Sequence, residues 1–435
     1  MTEAHAMRSL AREIFLHALA EAGIEKAFSQ YVQCERGVLR IGDDLHDLKS
    51  YSRVLAISFG KAGHRMAECL AGQVGPLVAG IIGDPNPPAQ QLPGYRYFAG
   101  SHPQPNEESV RCGEAILKSL GALNAQSLAI FMISGGGSSV VEKPVDDETS
   151  VNDLVATYKT LVLSGAPIAQ INAVRKHLSA TKGGRMAQAA QGAQQVSILV
   201  SDVPENALDS LASGPTMPDS SSVEDCYRIV REYNMLPGFP ASVRELFERR
   251  ALEETPKKGD PAFARSRWWT VLSNATAEKA AAEAAARRGF RVEIDHSCDD
   301  WDYAKAADYL LRRVRALQRE VPRSCIVSGG EVTVKVPDDS GVGGRNQHFA
   351  LYCAQKIAGE NITVLSAGTD GIDGNSLATG AVVDGTTMER AHVAGLDPAK
   401  TLRKFDSFSL LEKLGDTVVT GRTGNNVRDV RVLLA

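Results

Sequence analysis

The stretch Ser134-Gly135-Gly136-Gly137-Ser138-Ser139 directly follows the apolar run Ala129-Ile130-Phe131-Met132-Ile133. Glycines placed there let main-chain N–H groups converge on an anion, and the serines add hydroxyl donors. The ordinary alternative is a tight strand-to-helix turn. The spacing is not a dinucleotide fingerprint, because Val140 stands where the third glycine belongs, and no Walker-type sequence occurs in the chain. Val140 also breaks the pattern of a hydrolase nucleophile elbow. A second loop, Ser58-Phe59-Gly60-Lys61-Ala62, follows another apolar run and opens a helical pattern. A lysine beside a helix start opposes the helix dipole, which makes sense for Lys61 if an anion shares the site.

Further candidates follow the same logic. Arg175 and Lys176 lie in a basic stretch, residues 171–186, whose charge suits a carboxylate or a phosphate. Asp202 follows the apolar run Val196 to Val200, where a carboxylate can bind Mg²⁺ or take a proton. Gly343-Gly344-Arg345-Asn346-Gln347 opens a helical pattern and could clamp an anion. Asp370 and Asp373 follow the run Ile362 to Ser366, and either could serve Mg²⁺ or simply shape an acidic turn. The histidines, His102, His177 and His348 among them, do not pair at metal-ligand spacing, so a catalytic zinc is not expected.

These loops need a scaffold. Short apolar runs alternate with helical patterns such as Glu107 to Leu120 and Asn274 to Arg288, which predicts parallel βαβ units with ligands beyond the carboxyl ends of the strands. Glu331 to Val336 alternates like a half-exposed or antiparallel strand, so the C-terminal sheet is expected to be mixed. At roughly 100–200 residues per domain, 435 residues imply two or three domains. The charged, proline-bearing stretch 253–261 suggests a boundary, giving a domain over 1–255 and another over 256–435. The first 23 residues read as an amphipathic surface helix rather than a secretion signal. A net charge of −4 argues against a polyelectrolyte partner such as nucleic acid or an anionic membrane. Seven scattered cysteines without a Cys-x-x-Cys pair favour free thiols in a reducing cytoplasm.

In order along the chain, SFGKAG, GSHPQPNEES, SGGGSS, INAVRKHLSATKGGR, SDVPEN, ASGPTMPD, SGGE, GGRNQ and SAGTDGIDG resemble the class II glycerate kinases. That family carries a C-terminal MOFRL-type domain, and some members bear the name hydroxypyruvate reductase. The resemblance runs from about Ala11 to Val430. It implies an α/β fold of two domains, a Rossmann-like N-terminal domain with a parallel sheet and a smaller C-terminal domain with a mixed sheet. It further implies ATP-dependent phosphorylation of D-glycerate to 2-phosphoglycerate with Mg²⁺ or another divalent cation. On that resemblance ATP phosphates would rest on Ser134 to Ser139, and Lys61 and Arg345 would neutralise the transferred group. Asp202 or Asp370 would hold the metal while the other acid takes or orients the substrate hydroxyl, and Arg175 or Lys176 would hold the substrate carboxylate. The site is expected in a cleft between the domains, and the partners to be small molecules, with the chain a monomer or homodimer. An NAD(P)H-dependent hydroxypyruvate reductase is the rival, and the missing third glycine counts against it.

Overall fold

The computed structural model describes residues 3–435. The chain forms two compact units, one from Ile24–Val271 and the other from Leu272–Ala435 joined by the N-terminal helix Glu3–Glu21.

The first unit opens with a small antiparallel sheet of β1 (Val32–Glu35), β2 (Val38–Ile41) and β3 (Asp44–Asp47). Its main sheet contains β4 (Arg53–Phe59), β5 (Ala79–Gly83), β6 (Tyr95–Phe98), β7 (Ser127–Ser134), β8 (Gln194–Val200) and β9 (Ser266–Leu272), in the order β6–β5–β4–β7–β8–β9. The ladder from β6 to β8 is parallel. Every residue of β7 is buried, as a strand covered on both faces must be. The chain leaves β4 toward β5 and β6 and then returns to β4's other side with β7. The β4–β7 pair is therefore a switch point, where a crevice opens beyond the strand ends. A second apolar cluster joins the helices Val151–Leu163, Ile168–His177, Val223–Glu232 and Ala241–Glu248 around Leu154, Val174, Ile229 and Val243.

The second unit holds β10 (Arg291–Ile294), β11 (Ser324–Gly329), β12 (Thr363–Gly368), β13 (Gly380–Asp384), β14 (Thr417–Val418) and β15 (Asp429–Leu434). Their order is β10–β11–β15–β12–β13–β14, with only the β10–β11 pair parallel. The mixed sheet is as expected, and the strands that run against the rest are β13 and β15. Glu331 to Val336 is not among them. That segment makes a single isolated bridge, Thr333 to Asp302, and its Val334 and Val336 border a cavity.

The helix Glu3–Glu21 is amphipathic as expected, with Ala11, Ile14, Phe15 and Ala18 fully buried on one face and Glu13 and Leu16 exposed; Arg12 donates to Gly415 O at 2.7 Å, and Arg8 pairs with Asp384 at 2.9 Å. One other expectation needs correction. The stretch 253–261 is not where the units part. Asp219 N donates to Pro256 O and Thr255 Oγ1 donates to Asp219 Oδ2, so the segment is tied to the first unit, and β9 still extends that unit's sheet. All seven cysteines are free thiols. Among the described residues no helix is long and apolar enough to cross a membrane.

Candidate active site

The loops after β4 and β7 interlock at the switch point. Lys61 N donates to Gly135 O at 2.9 Å, and Ala62 N donates to Ser134 Oγ at 3.1 Å. Ser134 Oγ in turn donates to Phe59 O, so this serine is buried and committed to joining the loops. Gly136 sits at φ 80°, a left-handed value that favours glycine, and a Cβ there would come within 3.1 Å of Lys61 Cγ and 3.3 Å of His102 Nδ1. The Lys61 stem and the His102 ring thus lie directly against the glycine loop. Asp202, leaving β8, lies over Gly135 so closely that a Cβ on Gly135 would fall 1.8 Å from Oδ2.

Of these groups, Gly136, His102 and Asp202 border a cavity of about 490 Å³. Gly136, Ser138, Ser139, His102, Asp202 and Ser213 form one part of its wall. Tyr158, Asn172 and Arg175 form another, with Val162, Leu163 and Ile168 at an exposed apolar rim. Ser138 Oγ is 2.8 Å from Ser213 Oγ, and Ser139 Oγ is 3.1 Å from His102 Nδ1. Burial, with the Lys61 ammonium adding to it, holds His102 below the ordinary imidazole range, so it is neutral at pH 7. Ala212 and Ser213 both adopt positive φ, 49° and 62°, a strained conformation of the kind that gathers at functional sites.

The basic stretch divides. Lys176 is buried and bridges Asp209 and Asp219, each at 3.1 Å, and it does not border the cavity. Burial would raise Asp219, but Lys176 and hydrogen bonds from Ser221 and Thr255 carry it below the usual carboxylate range. Lys182 is buried on Glu142. Arg175 alone of the three borders the cavity.

Arg345 and Asp370 stand in the other unit, at a separate cavity of about 510 Å³ that Gly343, Gly344, Asp373 and Phe405 also border. The helix Arg345–Lys356 starts there, as its sequence suggests. Two of its opening N–H groups are already taken: Asn346 N and Gln347 N donate to Asp373 at 3.1 and 2.8 Å. Burial pushes Asp373 up to about 6 against those bonds. Arg345 grips Asp429 with two bonds of 2.6 and 3.0 Å and meets Glu331 at 2.7 Å, and these acids keep its guanidinium charged although burial opposes it. The expected open anion clamp at this helix start is thus filled by the protein's own carboxylates. Asp370 Oδ1 accepts from Ile372 N at 3.1 Å, the acidic-turn geometry.

Reading the sequence for charge and glycine missed His102, Tyr158 and Ser213. His102 had a usable signal, since Gly100-Ser101-His102-Pro103 follows the carboxyl end of the parallel strand β6. Ser213 lies in the ASGPTMPD motif, but its positive φ and its contact with Ser138 could not be read from it.

Residues 10–248 match a family described as a domain of unknown function (DUF4147), and residues 324–429 match the MOFRL family. The D-glycerate 2-kinase of Thermotoga maritima is 34% identical over 397 residues, covering 87% of this chain and 89% of that protein. The chain belongs to the glycerate 2-kinase family. A crystal structure of glycerate kinase from Thermotoga maritima superposes with a TM-score of 0.84 at 30% identity, over 99% of both chains. A protein of Agrobacterium vitis named provisionally as a hydroxypyruvate reductase is 37% identical over 341 residues, covering 77% of this chain and 76% of its own length. Both names thus occur among relatives of this glycerate kinase family member.

Proposed function

We propose that this protein phosphorylates D-glycerate with ATP, giving 2-phosphoglycerate. The observation that carries the reading is the cavity at the β4–β7 switch point, bordered by Gly136, Ser138, Ser139, Asp202 and Arg175, with the Lys61 stem packed against Gly136. Phosphoryl transfer needs positioning and charge neutralisation more than covalent chemistry from the protein. Main-chain N–H groups of Gly135 to Gly137 and the hydroxyls of Ser138 and Ser139 cradle the phosphates, and Lys61 neutralises charge on the transferred group. Ser134 is assigned the supporting role of holding the two loops together, as its bonds to Ala62 and Phe59 suit. Arg175, rather than Lys176, takes the substrate carboxylate, because Lys176 is already neutralised by Asp209 and Asp219.

Among the described residues no group of three or more His, Cys, Asp or Glu side chains is arranged to hold a metal alone. That fits Mg²⁺, which keeps its waters and binds through one or two carboxylates plus phosphate oxygens. Asp202 at the glycine loop suits such a role, and bound Mg²⁺ would supply charge neutralisation for the phosphates. Asp370 is the second metal or proton-handling candidate, and Arg345, which is already paired with Asp429 and Glu331, is a second neutralising cation on the family resemblance alone. Their variants test the roles that the family resemblance gives them.

The reductase reading is disfavoured by one observation. The helix after the glycine loop, Gly137–Val140, has four residues and gives way to Val141 and Pro144, so no long helix follows to support a dinucleotide pyrophosphate. The decisive assay incubates the purified chain with D-glycerate and ATP–Mg²⁺, and separately with hydroxypyruvate and NADH or NADPH. ADP release with a phosphorus NMR signal of 2-phosphoglycerate is expected. Oxidation of the nicotinamide without ADP release would overturn the proposal.

A further inference from the structure

Behind the cavity wall lies a charged assembly to which no role has so far been given. Glu142 is fully buried and receives four donors: Tyr158 Oη at 2.8 Å, Lys143 N at 3.0 Å, Ser179 Oγ and Lys182 Nζ. Lys182 is itself buried, with Ser179 Oγ as a further contact at 3.3 Å. A buried ion pair is tolerated only where hydrogen bonds satisfy its remaining valences, and such an assembly holds its members in one geometry. Tyr158 is the member that reaches the cavity. Its hydroxyl is fixed by Glu142, and the Arg175 guanidinium carbon stands 4.9 Å from the centre of its ring. Arg175 differs from its basic neighbours. Lys176 and Lys182 have carboxylate partners, whereas among the described residues no hydrogen bond or ion pair engages Arg175, and its buried Nε is left without a partner. Glu142 acts on Arg175 only at longer range and is already bonded to Lys182, so a largely desolvated guanidinium faces the cavity with no carboxylate bonded to it and can take an anion there.

We infer that Tyr158, pinned by the buried Glu142–Lys182 pair, is a positioning residue that orients Arg175 as the receptor for a small hydroxycarboxylate, so that this pocket selects hydroxy-acid anions over neutral polyols and amides. The ring face sets the plane of the guanidinium, and the tie to Glu142 keeps the ring from turning. This rests on the proposed kinase reading for the choice of D-glycerate as probe and for the KM and kcat readouts, whereas the affinity ratio is read without turnover.

The test uses the full chain with D-glycerate and its neutral amide, glyceramide. Calorimetric titration gives both affinities, and initial rates with ATP–Mg²⁺ give KM and kcat. The unmodified protein should bind glycerate about 10- to 100-fold more tightly than glyceramide, the worth of one charge-assisted partner. Arg175→Ala should erase that ratio, and Arg175→Lys should restore part of it. Tyr158→Phe keeps the ring but cuts its tie to Glu142. It should lower the glycerate preference by about 5- to 10-fold, with the loss falling on KM rather than kcat, because only the aim of one hydrogen-bonding group has changed. A merely structural Tyr158 would lower the melting temperature and leave the glycerate-to-glyceramide ratio alone, and that result overturns the inference. Absence of any glycerate preference in the unmodified protein does so as well. If preference collapses in Arg175→Ala while no phosphotransfer is seen in any sample, the kinase reading fails and this inference stands.

Discussion

Replacing Gly135 by alanine tests the candidate site with a single methyl group. Gly135 does not lie at positive φ, so alanine is not excluded by its backbone. The new Cβ would stand 1.8 Å from Asp202 Oδ2 and 2.4 Å from Asp202 Cγ. To regain an ordinary 3.4 Å contact the carboxylate must retreat by about 1.6 Å. Asp202 borders an open cavity, so it can swing aside, and the cost in stability should stay at the low end of the ~1–3 kcal/mol typical of overpacking. A misplacement of about 1 Å in a catalytic constellation costs on the order of 100-fold in rate. Gly135→Ala should therefore lose about 100-fold or more in turnover of D-glycerate while melting near the parent temperature. Gly72→Ala is the control. Gly72 sits in the helix Gly63–Val74 with nothing within 4 Å of the added methyl, and should gain ~0.5–1 kcal/mol without losing activity. Coupled ATP–Mg²⁺ assays and thermal melts of the three proteins suffice. Turnover of Gly135→Ala within threefold of the parent would mean that the position of Asp202 is immaterial to the reaction, and the role given to it would be withdrawn.

Three further outcomes are expected. Lys61→Ala should cut turnover at least ~100-fold with folding intact, since one cation facing the transferred group is lost; near-normal turnover removes Lys61 from the catalytic set. Lys176→Met should act on stability instead, costing ~3–5 kcal/mol in chemical denaturation because Asp219, 2% exposed, is left buried without its cation; a KM effect with unchanged stability would return Lys176 to the substrate site. His348 is packed between Tyr303 and Phe405, and burial pushes it down to about 4 from an ordinary 6.5. The unfolded chain therefore takes the proton first as pH falls, and His348 should withdraw up to about 3 kcal/mol of stability between pH 6.5 and 4. Asp373, raised to about 6, works in the opposite sense over much of that window, so the quantity to measure is the difference in pH slope between the parent and His348→Gln. Parallel slopes would refute the assignment.

Much of this was legible in the residues alone. The apolar run within β7, the alternation with helices such as Glu107–Leu120, and glycine loops at strand ends all follow from period and composition, which act locally. Arg345 could be read as a helix start for the same reason, and it is one. What the sequence could not supply was who neutralises whom. Arg175, Lys176 and Lys182 are equivalent as letters. Only the packing of distant segments gives Asp219 to Lys176 and Glu142 to Lys182, while leaving Arg175 at the cavity. The same holds for Asp373, whose side chain fills the helix start that the local pattern leaves open. Nor does any local signal reveal that the chain doubles back beside β4 to lay β7 there, or that the helix Glu3–Glu21 packs with strands hundreds of residues away. Propensity and periodicity are set by neighbours within a few residues. The pairing of buried charges and the order of strands in a sheet depend on which surfaces meet, and the tertiary structure alone decides that.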